Sequence, residues 1–147
     1  MKKIYVLSLT LLLSSFAFAQ EYKIITTVES IVPLGIGRSR MLDAKETGDY
    51  KSLTTARVDG KKSEQGDIKR EDVKINSFEE TKLLNFYSAV GINFQNIASN
   101  DAVVSSKLTE MAKEGWELMF VTSGVESEAG KDDGEGIFIT RYVFKKK

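Results

Sequence analysis

Arg38 and Arg40, in the stretch "PLGIGRSRML" at residues 33–42, are the side chains best suited to hold a ligand. Two residues apart, they share a face if the segment is extended, and guanidinium forks can take a carboxylate or sulfate bidentately. Gly35 and Gly37 raise a second idea, a phosphate loop. Such a loop needs backbone N–H groups converging on a helix start, usually with a Lys-Ser/Thr pair. Here "SRMLDAKE" is a poor helix start and no G-K-[ST] follows. Pro33 and the glycines suit a turn or bulge between strands, with the arginines paired to acids of the same chain. A turn leading into a short strand is therefore expected.

Composition closes most other chemistry. The 147 residues include no His and no Cys. Ser-His and Cys-His nucleophile pairs are thereby excluded, as are zinc sites built on those ligands. Catalysis would have to rest on Asp, Glu, Lys, Tyr, Arg or Ser, so an enzyme is the less favoured class. No catalytic residue, metal ligand or cofactor is assigned. Glu126, Glu128, Asp132, Asp133 and Glu135 offer calcium-type oxygens, but they lack EF-hand spacing and enclose Lys131, which reads as a solvated hairpin loop. Phe86, Tyr87 and Phe94 could form an aromatic platform; their spacing reads as helical core.

The first nineteen residues have the pattern of an export signal. Lys2 and Lys3 precede an apolar run from Ile4 to Leu13, and Ala17-Phe18-Ala19 supplies the small residues of a cleavage site. The run is too short for a membrane span of about 20 residues. A periplasmic or secreted protein cut after Ala19 is expected, with no transmembrane segment in the mature chain. Cleavage removes Lys2 and Lys3, leaving 19 basic against 21 acidic side chains. That balance does not suggest a nucleic-acid partner. Residues 20–147 are enough for one domain and can hold a core without disulfides.

Within that domain, "EYKIITTVES" alternates as a strand and "SRML" fits a short second one. Residues 43–76 are a polar excursion punctuated by Gly48, Gly60 and Gly66, with room for one irregular hairpin. Ser77 and Glu80 have capping-box spacing, predicting a helix near 78–90 closed by Gly91. Asn100 or Asp101 is expected to cap a second helix, near 101–114, with Val104, Leu108, Met111 and Ala112 as its apolar stripe and Gly115 as its stop. "WELMFV" and "GIFITRYVF" then read as an antiparallel pair. Gly115 is expected to turn the chain at positive φ, Trp116 to cover the helix end, and Glu117 to pair with a basic residue such as Arg141.

Three segments carry a resemblance: Tyr22 to Ile25, Leu108 to Val121, and Ile137 to Lys146. Together they resemble a family of small bacterial domains of unknown function, with a Y-K-V-V first strand and a G-W-E-L-V motif, in a longer exported variant. The resemblance implies a helix packed on a small antiparallel sheet and nothing catalytic. The expected fold is α+β: three or four antiparallel strands with two helices on one face. The expected function is a non-enzymatic binding or envelope-assembly domain, its partner an envelope or extracellular protein or ligand. The alternative is a small-molecule or anion binder, or an enzyme, working through Arg38 and Arg40.

Overall fold

The computed structural model describes residues 20–31, 39–126 and 136–146. The expected signal segment, Arg38 and most of the acidic loop after Glu126 lie outside them. The alternating β-branched residues of strand β1 (Glu21–Ser30) pair on both sides, which puts β1 inside the sheet. On one side runs β2 (Arg40–Ala44), followed by β3 (Phe78–Lys82). On the other, β7 (Ile137–Lys146) pairs with β1 over all ten residues and also takes β6 (Glu117–Glu126). The order is β3-β2-β1-β7-β6, antiparallel throughout. The class is α+β, but the sheet has five strands, more than expected. A separate hairpin pairs β4 (Tyr87–Ser88) with β5 (Gly91–Ile92).

The helix expected near 78–90 is absent; a strand stands there. Ser77 and Glu80 do have capping-box spacing, but Phe78–Lys82 finds a full ladder partner in β2, from Arg40↔Lys82 to Ala44↔Phe78. Lys45 N–H donates to the Ser77 carbonyl, extending that pairing and leaving no helix to cap. Long-range pairing has overridden a local signal worth about a kcal/mol. The polar excursion also differs from expectation. Its first residues, Asp43 and Ala44, belong to β2. The rest holds no hairpin, only a 3-10 turn (Glu64–Asp67) and the one-turn helix α1 (Arg70–Val73). No residue from 45 to 76 is buried.

One long helix, α2 (Phe94–Lys113), replaces the expected pair. It begins earlier than anticipated because Asn93, not Asn100 or Asp101, is the cap: its side chain accepts from the Asn96 N–H at 3.1 Å. "INFQNI" is thus hairpin end and first helical turn. At about 1.5 Å per residue, twenty residues reach about 30 Å, longer than the roughly 19 Å width of five strands. Gly115, at φ +88°, turns the chain out of the helix, and Trp116 N–H closes on the Met111 carbonyl at 2.9 Å.

The core lies between α2 and the sheet: Ile25, Met41, Leu83, Met111 and Phe144, with Val103, Leu108, Trp116 and Tyr142 packed around them. Ala112, expected in the stripe, is exposed, as is Phe94; Phe86 and Tyr87 are half-buried. Asn100 sits in mid-helix, 2% exposed. Its Oδ1 accepts from Leu84 N–H at 2.8 Å, and its Nδ2 donates to the Leu84 carbonyl and to Glu29 Oε1, each at 2.7 Å. One side-chain amide thereby satisfies both backbone groups of Leu84 and ties helix to β1. Asn100→Ala leaves those buried groups unmatched and should cost about 2–3 kcal/mol in chemical denaturation. A loss under half a kcal/mol would show that solvent replaces the amide.

Candidate functional site

Of the two arginines singled out for chemistry, Arg38 lies outside the described residues. Arg40 opens β2 on the face turned away from α2, and its Nη1 donates to Glu80 Oε1 at 2.7 Å across the ladder. Between the two arginines, Ser39 is the residue the fold holds most tightly. At 2% exposure its hydroxyl accepts from Ser30 N–H at 2.9 Å and donates to Asn85 Oδ1 at 2.8 Å. A serine beside two arginines gives no sequence signal of this role. Glu117 meets Lys145 at 3.5 Å rather than Arg141, because the register sets Glu117 opposite Lys145 and Arg141 opposite Thr122.

On the helix side, Asp43 gathers a charge network that the sequence places in a solvated loop. It is 3% exposed. Lys23 lies 2.8 Å from its Oδ1, as an ion pair off the hydrogen-bond axis; Lys45 and Lys107 reach Oδ2 at 3.0 and 3.2 Å. Glu79 takes Lys45 at 2.9 Å and Glu110 takes Lys107 at 3.0 Å. Three ammonium groups meet three carboxylates. Burial pushes the Asp43 carboxyl up, but the three lysines outweigh it and hold it below the ordinary aspartate value. Contacts with Glu79 and Asp43 raise the Lys45 ammonium. Burial pulls Lys107 down, and Glu110 and Asp43 more than restore it.

This network is unsuited to catalysis. A nucleophilic lysine needs a lowered pKa, and a general acid or base needs one near neutrality. Lys45, Lys107 and Asp43 are shifted the other way. Glu29 is raised, by burial and against the Asn100 hydrogen bond, but that contact anchors the helix. Among the described residues no cluster of three carboxylates is placed to hold a metal ion.

Near the start of β1 an open concavity of about 450 Å³ runs from Tyr22 and Lys23 past Lys45 and Thr47 to Trp116. Trp116 is half-buried, with Lys146 Nζ 5.5 Å from its ring centroid. It closes the core at the helix end, and the concavity has no enclosed depth beside it.

What remains is surface of another kind. α2 is the long helix of a five-stranded sheet, and among the described residues apolar side chains outside its cover fall in two regions. The register places Ile24, Val28, Ile139 and Val143 on the face opposite the helix, where Ile24 is 49% exposed and the other three are half-buried. At the sheet's outer edge every residue of β6 is exposed. Met119 is an extra residue between Leu118↔Phe144 and Phe120↔Val143, a bulge that breaks the simple alternation of this strand. Beyond it Val121 and Val125 look toward the helix side and Phe120 toward the open face, at 48%, 62% and 58% exposure. The opposite edge, β3, is half as long and carries Glu79, Glu80 and Lys82, the usual protection against edge pairing. β6 has neither lysine nor proline.

Two outcomes follow from this geometry. Asp43→Asn should destabilise by about 2–3 kcal/mol at pH 7, less than the ~3–5 of a fully buried pair because Lys45 is solvated. An aspartate with a depressed folded pKa contributes stability that is present above about pH 4 and lost as pH falls through the folded value. Melting curves from pH 2 to 7 should therefore show a shallower acid limb in the variant; identical limbs would remove Asp43 as the acid-sensitive group. Trp116→Ala should cost about 2 kcal/mol, below the ~3–5 of a fully buried aromatic. An unchanged melting temperature would free Trp116 for a binding role. Compared with known protein families, curated proteins and solved structures, the chain matches none.

Proposed function

We propose that this chain is an exported, non-enzymatic binding domain that takes part in an envelope or extracellular assembly, and that its docking surface is β6 with the adjoining helix-free face. The observation that carries the reading is the ten-residue edge strand exposed along its whole length, with apolar side chains on both faces. Monomeric proteins blunt such an edge with charge, proline, a bulge or a cover. Here the bulge at Met119 and the terminal Glu117 and Glu126 leave residues 120–125 without such protection. Among the described residues nothing covers this one, and an extended segment can add to it by main-chain hydrogen bonds. Neutralised titratable clusters and a shallow, open concavity support binding over catalysis. The Arg40–Glu80 pair speaks against the alternative of a small anion held by Arg38 and Arg40. Export rests on the N-terminal pattern ending at Ala19, and among the described residues no helix is long and apolar enough to cross a membrane.

A photo-activatable phenylalanine analogue at Phe120 tests the surface in the cells that make the protein. Irradiation should give a discrete adduct from position 120 and none from Thr109 on the exposed side of α2. Equal labelling at both positions, or none at 120, would overturn the reading, and saturable sulfate binding that Arg40→Ala abolishes would then favour the anion site.

A further inference from the structure

The partner best matched to β6 is a second β6. Resting on the reading of this edge as a docking surface, we infer that two copies pair antiparallel through residues 120–126 about a two-fold axis at Ser123, joining two five-stranded sheets into one of ten.

The register follows from three observations. First, the Met119 bulge disrupts the strand's regular pairing at its start, so the uninterrupted stretch is Phe120 to Glu126. Second, a two-fold axis perpendicular to a sheet pairs residues whose side chains share a face, so it must pass through a residue; the centre of this stretch is Ser123. Third, that register is chemically matched. Val121 meets Val125 of the second copy, and the symmetry repeats the contact. Thr122 meets Gly124, and Phe120 meets Glu126. No two carboxylates are opposed, although β6 begins and ends in Glu.

Seven paired residues extend about 23 Å. Edge pairing of that length falls at the lower end of interface sizes, giving a dimer that forms reversibly with concentration. Its geometry has a consequence for binding. The helix-free faces of both copies lie on the same side, so the apolar strip around Ile24, Val28, Ile139 and Val143 is doubled into one continuous surface. The β3 edges, short and charged, become the outer limits of the ten-stranded sheet and stop further growth.

The absence of cysteine gives a clean test. In the stated register Ser123→Cys puts two thiols across the axis with Cα atoms about 4.5–5.5 Å apart, inside the disulfide range. Mild oxidation should convert the exported, full-length mature protein to a reducible dimer, whereas Thr109→Cys on α2 and Thr81→Cys on β3 should remain monomeric. Charge substitutions made with Ser123→Cys then read the register. Val121→Lys with Val125→Lys sets lysine against lysine twice and should lower the cross-linked fraction by roughly tenfold. Val121→Lys with Val125→Glu sets lysine against glutamate twice and should keep it, with both variants melting as cooperative folded proteins. Ser123→Cys cross-linking no faster than Thr109→Cys, or the two charge variants behaving alike, would overturn the pairing. If that happens while Phe120 still captures a different protein, the binding reading stands without the dimer; if Phe120 captures nothing, both fail.

Discussion

Asp43 is the constraint around which this molecule is arranged. Its carboxylate is nearly sealed from water, and an unpaired buried charge would be untenable, so the fold must bring cations to it. Those cations come from β1, the residue after β2, and α2, as Lys23, Lys45 and Lys107, while Glu79 of β3 and Glu110 of α2 balance them. The network therefore fixes the strands β1 to β3 relative to one another and sets the helix over them. Asn100 does the same work one helical face-length away with neutral groups, joining Leu84 and Glu29. Among the described residues the buried hydrophobic cluster is small, five residues, and polar contacts of this kind add to what holds it.

A single helix cannot cover five strands. Helices pack about 8–10 Å from their neighbours, whereas five strands span about 19 Å from edge to edge. α2 is held to β1 and β2 by its charge and amide contacts and also touches β6, yet every residue of β6 stays exposed. The charge network that holds the helix down draws on β1 to β3 and α2 and takes nothing from β6.

This separation gives the molecule two halves with different tasks. The β1–β3 half under α2 is dense in paired charge and buried amide, and its edge is short and charged. The β7–β6 half is long-stranded and apolar, with an exposed edge. If β6 docks as proposed, the contacts that hold the first half lie outside the interface.

Several features were legible in the sequence because their causes are local. Alternation marked β1 and β7, and β6 as a strand though not the Met119 bulge that puts Leu118 and Phe120 on opposite faces; the loop between the last two implied their antiparallel pairing; and Gly115 marked the end of a helix. Lack of His and Cys narrowed the chemistry with no structure at all. Elsewhere the cause is non-local. Ser77 and Glu80 look like a cap until β2 offers Phe78–Lys82 a ladder, and a strand partner some 34 to 42 residues back leaves no trace in the local pattern. Asn100 has the residue type of a cap, yet only the approach of Leu84 makes it a buried clamp. Asp43 sits among polar residues, and three lysines from positions 23, 45 and 107 must converge before its burial becomes tolerable. Local composition determined which segments could be strands and which reactions were closed. Tertiary structure decided which polar residues went inside, because burying a charge or an amide depends on partners that only the folded chain brings together.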